Sequence, residues 1–425
     1  MKKRILILFT LLGAAISSVQ SVHAATITVT NLNDSGPGSL RQALADANSG
    51  DEINFSVTGT ITLTSGELAV SEKYVTISGP GANLLAVSRP NTAPCFPIFR
   101  LTRGNCLGGP QSFVIKGLTI RNGCGGGGIF FQGCNTSLTV ENCTLSDNFG
   151  TLDGGAIHNL STLIVNDSTF SNNFAGLNGG GISNRSFGEL IVDNCTFSNN
   201  RAGLNSGGAI FNKRKTTINN STFSGNESGV YGTGAAVYSE GVSLIVNNST
   251  ISGNVVAARQ HGAIAIGNDV RISRVSEIKN STISGAGGCI YSEATLKIGG
   301  TILETTDLYA TISGSHEKIT SLGYNLSDDN GNGFLTGPGD LTNTEPLLGP
   351  LQNNGGPTFT HALLPGSPAI DTGNPSFTPP PNNDQRDCPF FRVYNGRIDI
   401  GSFEVQPPPL PCMTPRPRPT PTPRP

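Results

Sequence analysis

The chain has 425 residues, of which 36% are hydrophobic and 13% charged, with 55 glycines and no tryptophan. A low charged fraction with abundant glycine is typical of a turn-rich β solenoid and argues against a helical enzyme. The net charge of −2 and the pI of about 6.2 leave no basic surface, so nucleic acid is excluded as an expected partner.

The N-terminus has the pattern of a secretory signal peptide over residues 1–24. Basic residues at positions 2–4 precede an apolar run from Ile5 to Ile16, and small residues around Ala24 suit cleavage. The run is short for a membrane-spanning helix, although an uncleaved anchor is the alternative. We therefore expect a monomer that is secreted, extracellular or on the bacterial cell surface, with no transmembrane segment after cleavage.

From there the dominant feature is a repeat of 25 to 28 residues between Ile120 and Asn254. Its first motif is an apolar residue three positions before an asparagine. Its second is Gly-Gly-small-apolar about ten residues later, as in Gly154–Ile157 and Gly207–Ile210. The first motif comprises Leu145, Phe170, Phe197, Phe223 and Ile251 with Asn148, Asn173, Asn200, Asn226 and Asn254.

A fixed period in this range predicts a solenoid. Each repeat holds three short strand-like pieces, too short and too rich in Gly, Asn and Thr to be helices. Stacked about 4.8 Å apart, such strands place the apolar residues in one interior file and the asparagines in a ladder at a turn. We predict an all-β fold: a single-stranded, right-handed parallel β-helix of the pectin-lyase type, with a short N-terminal capping helix and an irregular C-terminal cap.

Taken in order, Thr26–Thr30 reads as a strand, and Ser39 with Gln42 predicts a capped helix running to Asn48 over the open end of the solenoid. Four regions follow the signal peptide. They are an N-terminal cap with irregular first coils at 25–111, regular coils at 112–304, irregular last coils and a cap at 305–405, and a disordered Pro/Arg-rich tail at 406–425.

Nine cysteines in an exported chain predict disulfides. We expect two local bonds, Cys95 with Cys106 and Cys124 with Cys134.

Other cysteines fall inside the repeat. Cys143 and Cys195 share one inward column but lie two coils apart, too far to bond, and are expected to be buried free thiols. The pairing of Cys289, Cys388 and Cys412 stays open.

The repeat and its flanks also resemble known exported proteins. The Gly-Gly-Ala-Ile and Phe-x-x-Asn motifs resemble the repeats of polymorphic membrane protein adhesins, which are surface β-helices. The flanks Asp34–Leu44, Leu363–Asp371 and Gly396–Glu404 resemble bacterial Q-type choice-of-anchor β-helix proteins over nearly the whole mature chain. This resemblance implies a β-helix and an exported location, and it implies no established chemistry.

The lengthened coil from Arg259 to Lys279 is the candidate catalytic region. A polysaccharide lyase needs a Lys or Arg base near calcium-binding carboxylates, and a glycoside hydrolase needs two carboxylates across the scissile bond. A solvated loop with weak ion pairs is the favoured alternative. The runner-up catalytic residues are His261, Arg271, Arg274 and Lys279.

One segment has the oxygen-rich spacing of a calcium loop, with a central glycine. A plain Asn/Gly turn is favoured about two to one over that interpretation. We expect no cofactor, with calcium as the single candidate. The weak metal ligands are Asp328, Asp329, Asn330 and Asn332.

A surface strip was the third candidate site. If the isoleucine of Gly-Gly-x-Ile points inward, a column of tiny residues from Ala156 to Ala263 points outward and could receive an extended polymer or peptide. The alternative is that residues after Leu341 cover it. The ligand-binding residues beside the column would be His158, Ser183, Phe211, Tyr238 and Tyr291.

The sequence thus favours an exported, surface-associated, non-catalytic scaffold or adhesin-like module that binds glycan or another cell-surface ligand. The alternative is a lyase or hydrolase acting on uronic-acid polymers. The Asn-x-Ser/Thr triplets at Asn142, Asn194 and Asn220 match glycosylation acceptors, but their shared turn position is better explained by the repeat.

Overall fold

The computed structural model describes residues 24–106, 110–185, 188–240, 243–257, 262–267, 275–285, 287–306 and 309–407. Within these ranges the chain winds into a β-helix whose coils supply strands to three parallel sheets. The predicted all-β solenoid is confirmed. We number the sheets 1 to 3 in the order in which a coil passes through them.

Sheet 1 has 12 strands among the described residues. They are Thr26–Val29, Glu52–Phe55, Thr76–Ser78, Gln111–Lys116, Thr136–Glu141, Thr162–Asn166, Leu190–Asp193, Lys215–Asn219, Ser243–Asn247, Ser276–Lys279, Leu296–Gly299 and Ile319–Gly323.

Sheet 2 has 11 strands in the described part of the chain. They are Gly59–Thr62, Leu85–Ser88, Thr119–Arg121, Thr144–Ser146, Thr169–Ser171, Thr196–Ser198, Thr222–Ser224, Thr250–Ser252, Thr282–Gly285, Ile302–Thr305 and Leu326–Ser327.

Sheet 3 has 10 strands over the same ranges. They are Leu68–Ser71, Phe99–Arg103, Ile129–Gly133, Ile157–Asn159, Ile182–Asn184, Ile210–Asn212, Val237–Glu240, Ile264–Gly267, Ile290–Ser292 and Ile312–Gly314.

Between sheets 2 and 3 the middle coils add a short fourth sheet that the sequence did not predict. Its strands are Phe149–Gly150, Phe174–Ala175, Arg201–Ala202, Glu227–Ser228 and Val255–Val256.

The interior is built from identical side chains stacked on one another, as predicted. Phe170 pairs with Phe197 and Phe197 with Phe223 in register. Their ring centroids lie 4.5 and 4.7 Å apart, and all three side chains are fully buried. The file therefore removes aromatic surface from water at every rung, which stabilises the stack.

The predicted asparagine ladder is also confirmed. From Asn148 to Asn254, each Nδ2 donates to the Oδ1 of the next asparagine at 2.8 to 3.0 Å. Each of these side chains is at most 1% exposed, so the ladder satisfies buried amides that would otherwise destabilise the turn. A second ladder, from Asn159 through Asn184 to Asn212, was not predicted.

The N-terminal end is closed by the helix Leu40–Asp46. Ser39 caps it, since its Oγ accepts from the Gln42 N–H at 3.2 Å. The Gln42 side chain turns away and bonds Asp46, so only half of the predicted capping box forms. Leu40 and Leu44 join the main core, which places the helix over the first coils as expected.

The disulfides formed by Cys95, Cys106, Cys124 and Cys134 differ from the predicted pairs. Cys95 bonds Cys124, and Cys106 bonds Cys134, with Cα–Cα distances of 4.9 and 5.0 Å. The prediction was wrong because it joined neighbours in the chain. The separations of 29 and 28 residues are about one coil, so each bond links adjacent rungs.

Cys143 and Cys195 are buried free thiols, as predicted, and Cys289 is a third. Burial raises the pKa of the Cys143 thiol to about 11, which keeps it protonated and unreactive. Cys388 is disulfide-bonded, and Cys412 lies outside the described residues. The disulfides fit an extracellular protein.

The C-terminal part both closes and flanks the solenoid. Phe334 and Leu335, which follow the short 3-10 helix Gly331–Gly333, enter the main core beyond the last coils. From residue 342 onward the chain runs back along the outside and includes one antiparallel hairpin, Leu348–Gln352 with Thr360–Leu363. We call residues 342–405 the flank.

The flank lies on the threonine file of sheet 2. Thr222 donates to the Phe359 carbonyl at 2.5 Å, and Thr250 donates to Gln385 Oε1 at 2.6 Å. Thr282 accepts from the Ser402 N–H at 3.1 Å. These threonines are buried, whereas those at the same position in earlier coils are partly exposed. Among the described residues, no helix has the length and apolarity needed to cross a membrane.

Candidate functional site

The tiny residues expected on the outside of sheet 3 point into the core. Every alanine of this column is at most 4% exposed and belongs to the main core, and a methyl group on the column's glycine would lie 3.2 Å from Phe197. The prediction was wrong because strand alternation was applied one residue too early: the strand begins at Ile157, not before it. The column comprises Ala156, Gly181, Ala209, Ala236 and Ala263.

The predicted ligand-binding residues beside that column form one file, in register from His158 to Tyr291. The Phe211 and Tyr238 rings stack with centroids 5.6 Å apart, so their faces meet each other and not the solvent. The Arg185 guanidinium lies 5.2 Å from the Phe211 ring. Ser183 and Phe211 are 0% and 5% exposed. The file therefore offers a sugar little flat aromatic surface.

Nor does the flank cover this file, which was the alternative interpretation. The flank's hydrogen bonds run to sheet 2 and to the turn before it, as in the bond from His361 to Ser252 at 2.9 Å and that from Thr358 to Asn220 at 3.0 Å. The sequence placed the covering segment on the wrong face.

Of the predicted catalytic residues, His261, Arg271 and Arg274 lie outside the described residues. Lys279 ends a strand of sheet 1, and its Nζ lies 2.7 Å from Glu277 Oε2. Both side chains are about one-third exposed, at 37% and 32%. The ammonium group is thus neutralised by its neighbour, at the edge of the groove described below.

Several oxygens of the predicted calcium loop are used internally, whereas Asp328 Oδ1 is buried without a hydrogen-bond partner. Asp329 Oδ1 accepts from the Ser327 hydroxyl, the Thr311 hydroxyl and the Gly331 N–H at 2.6 to 2.8 Å. Asn330 Oδ1 accepts from the Asn332 N–H at 2.8 Å. Asp328 Oδ2 accepts from the Thr305 N–H. These bonds are those of a side-chain-stabilised turn.

Within the described residues, one group of three acidic side chains lies close enough to share an ion: oxygens of Asp371, Asp399 and Glu404 lie within 4.8 Å of one another. Both Glu404 oxygens already accept backbone N–H groups, and the fully buried Arg392 lies beside the cluster. The pKa of Glu404 is raised to about 8, first by burial and then by repulsion from Asp399. We read this cluster as part of the flank's buried polar core.

A groove of about 720 Å³ lies along the outside of the later coils. One wall is the turn between sheets 1 and 2, and the other is the flank segment 374–381. The turn contributes five successive rungs, so this wall is roughly 19 Å long at 4.8 Å per rung. These rungs are Asn219–Asn220, Asn247–Asn248, Lys279–Asn280, Gly299–Gly300 and Gly323–Tyr324.

The turn has a backbone that explains its asparagines. Asn220, Asn248 and Asn280 have φ values of 50°, 51° and 49°, and Gly300 has 61°. Residues with a side chain adopt this left-handed region rarely, and asparagine tolerates it best. Asn142 and Asn194 occupy the same turn with φ of 51° and 52°, which accounts for the glycosylation-like triplets.

Amides cross-link the turn from rung to rung. Asn248 Nδ2 donates to Asn220 Oδ1 at 2.7 Å, and Asn220 Nδ2 donates to Asp193 Oδ1 at 2.9 Å. In the neighbouring file, Asn247 Nδ2 lies 3.4 Å from Asn219 Oδ1. The partly exposed Asn219 and Asn247 therefore present polar groups along the groove at fixed spacing.

The flank wall is fixed against the same turn. Asn248 Nδ2 donates to the Asn383 carbonyl at 3.2 Å, just beyond the segment that lines the groove. Within the segment, the Phe377 N–H bonds the Asn374 carbonyl at 3.1 Å and forms a turn. Tyr324 and Phe377 border the groove at its walls. The arrangement is a polar trough with two aromatic side chains, open along the solenoid axis.

Sequence reasoning missed this groove. Its signal in the sequence is the asparagine that recurs at one turn position, at Asn142, Asn194 and Asn220, which is attributed above to the repeat. The second wall gave no signal, because 374–381 is a proline-rich segment far from the coils in sequence.

Comparisons with known proteins agree with this architecture. Residues 127–303 match the family described as "Right handed beta helix region". No curated protein matches the chain. The fold is a right-handed parallel β-helix.

Solved structures with this fold include pectate lyase Pel9A, at 15% identity and a TM-score of 0.50, covering 91% of this chain and 98% of that one. A weaker match is AlyGC, an alginate lyase of family PL6, at 13% identity and a TM-score of 0.34, covering 71% of this chain and 51% of that one, a score too low to support a shared fold. At 15% identity the likeness to Pel9A concerns the fold alone.

Proposed function

We propose that the protein is an exported, surface-associated β-helix module that binds an extended polysaccharide in the groove between the sheet 1–2 turn and the flank, without catalysing its cleavage. The observation that carries the proposal is the groove itself: an open trough roughly 19 Å long, in which three successive rungs of the turn wall present asparagine side chains at one rung spacing. A periodic wall suits a periodic ligand.

The chemistry of the lining supports a glycan. An asparagine side chain both donates and accepts hydrogen bonds, as does a sugar hydroxyl. Tyr324 and Phe377 add apolar ring surface, which is a common complement to the C–H faces of sugars in binding clefts. Polar groups in fixed positions with a few aromatic contacts favour recognition over a reactive centre.

The competing function is elimination or hydrolysis of a uronic-acid polymer, and the observation in its favour is that Lys279 lies in the groove. A base must be free to take a proton from the substrate. The Lys279 ammonium group is bonded to Glu277 at 2.7 Å, and this pairing supports the non-catalytic proposal.

The test is affinity electrophoresis and calorimetry against a panel of soluble polysaccharides. The double variant Asn247→Ala with Phe377→Ala alters both walls and should weaken binding at least tenfold. Asn166→Ala is the matched control, because Asn166 occupies the same file two rungs before Asn219 and does not line the groove. It should leave binding unchanged.

The same samples are assayed for reducing ends and for the ultraviolet absorbance of unsaturated products. If the unaltered protein cleaves a polymer and Lys279→Ala abolishes that turnover, the protein is a lyase and the binding proposal is contradicted. If the double variant still binds the polysaccharide, the ligand binds somewhere other than this groove.

A further inference from the structure

The charges along the groove bear on which polysaccharide it takes. Glu277 and Lys279 are the charged side chains among its lining residues, and they bond each other at 2.7 Å. The other lining residues are Asn, Gly, Ser, Thr, Pro and apolar side chains. A polymer lying in the trough therefore meets a wall whose net charge is zero.

Beyond its first rung the groove becomes acidic. The file that carries Asn219 continues to Asp193 in the preceding coil, and the Asn220 amide donates to that carboxylate at 2.9 Å. Burial raises the pKa of Asp193, and the nearby carboxylates of Asp167 and Asp387 raise it further. Three like charges thus lie around one end of the groove.

A polyanion would enter this groove at an electrostatic disadvantage. Like charges brought together in a partly desolvated site repel each other. The groove has one cation, Lys279, and using it for a uronate would strip Glu277 of its partner. Separating this partly exposed pair costs little by itself, but it leaves an unpaired carboxylate beside an anionic ligand.

The amides point to uncharged hydroxyls. In the inner file the Asn248 and Asn220 Nδ2 groups are already used along the rungs. In the outer file Asn219 and Asn247 are partly exposed and share one long contact of 3.4 Å. Hydroxyl groups match such amides in both directions, whereas a carboxylate would use only their donors.

We infer that the ligand is a neutral, hydroxyl-rich glycan and that the groove discriminates against uronic-acid polymers. This inference rests on the proposed function, since it specifies the ligand class of the same groove. This ligand class differs from the pectate and alginate named for the two solved structures.

The experiment measures binding of the full chain to soluble neutral polymers (xylan, mannan and β-glucan), to polygalacturonate and alginate, and to chitosan, each at 20 and 500 mM salt. A neutral polymer should bind, with an affinity that changes less than threefold between the two salt concentrations, because an uncharged ligand is not screened. The uronate polymers should bind at least tenfold more weakly than that neutral polymer.

A charge variant sharpens the result. Glu277→Gln leaves Lys279 without its partner and should raise polygalacturonate binding about tenfold, because the groove then has a net positive charge. Glu189→Gln is the control, since it removes the partner of Lys215 in a similar exposed ion pair outside the groove. It should change neither ligand's affinity.

The outcomes separate the two proposals. Binding of uronate or chitosan, lost in Asn247→Ala with Phe377→Ala, would overturn the neutral-ligand inference and leave the groove as a glycan site. No binding of any polymer would overturn the proposed function, and the inference with it.

Discussion

The regular coils and the flank stabilise the same molecule in contrasting ways. At each middle rung the coils repeat one set of contacts, the stacked phenylalanines and the Asn148–Asn254 ladder. The flank makes each of its contacts once, as Gln385 does with Thr222 and Thr250 at 2.9 and 2.6 Å. The groove lies where the periodic part meets the aperiodic part, so its two walls are subject to different constraints.

The difference teaches where a repeat can carry function. A side chain in an interior file is constrained by the rungs above and below it, and changing one rung disturbs its neighbours. The side chains of the outer turn vary more in type. One file there runs from Asp193 through Asn219 and Asn247 to Lys279. Variation of this kind, opposite a unique segment, is a way to build a specific site on a uniform scaffold.

The largest effect should come from breaking the interior file. Phe197→Ala removes the middle ring of three and should lower the free energy of unfolding by about 3–5 kcal/mol, because it creates a cavity between two stacked rings. Urea denaturation followed by circular dichroism measures it. Phe149→Ala is the control: that ring is 38% exposed, stacks only at the surface, and should cost about 1 kcal/mol or less. Equal costs would mean that the interior file is not the main support of the coils.

A pH titration should act on the flank while leaving the coils folded. Burial raises the pKa of Glu404 to about 8 and that of Asp399 to about 6. A carboxyl that binds its proton more tightly in the native state favours that state at low pH. The stability is therefore lost as the pH rises from about 4.5 toward 8.

With each pKa unit worth about 1.4 kcal/mol, we expect the flank to lose on the order of 4 kcal/mol between pH 5 and 8. Protease cleavage within 342–405 should rise over this range, and Glu404→Gln should flatten the profile. A flank that is equally resistant at both pH values would contradict this account of the cluster.

The N-terminal cap should respond in the opposite direction. Burial acts to raise the pKa of Asp34, but hydrogen bonds from Arg41, Ser65 and Thr64 outweigh it and hold the pKa well below its usual range. The cap should therefore loosen as the pH falls below about 3.8. Asp34→Asn should remove that acid sensitivity and leave the alkaline loosening of the flank unchanged.

A smaller effect is expected when one contact between the two regions is removed. Gln385 is fully buried and bonds Thr222, Thr250 and Thr358. Gln385→Ala should destabilise the docked flank by about 1–2 kcal/mol, since several polar partners lose a bond. Hydrogen exchange would detect faster opening of 358–361. Gln352→Ala, an exposed residue of the flank's hairpin, is the control and should leave exchange unchanged. If hydrogen exchange at 358–361 stays slow in Gln385→Ala, docking of the flank depends on the apolar contacts around Ile400 instead.

The sequence was informative where a contact recurs and silent where it occurs once. Phe170, Phe197 and Phe223 could be placed in one file because their spacing repeats, and so could Asn148 through Asn254. The disulfides could not be paired, since nothing in the sequence located residues 95–134 on particular rungs. The tiny column at Ala156 was placed outside because strand alternation was extended to the residue before Ile157, where the strand has not yet begun.

The candidate site divides in the same way. Its turn wall corresponds to a recurring asparagine in the sequence. The left-handed backbone at that position, and not exposure to a ligand, explains most of the recurrence. Its flank wall was invisible, because the contacts that dock it join residues 135 to 164 positions apart. The threonines that receive the flank look like those that do not, and Thr196 and Thr222 differ only in what lies over them.

The most direct test of the account is hydrogen–deuterium exchange of the full chain with and without a bound neutral polysaccharide. The account predicts slower exchange on both walls together, at 219–220, 247–248 and 279–280 and at 374–381, with no change along the file from His158 to Tyr291. Slower exchange along that file with none at the groove would contradict it.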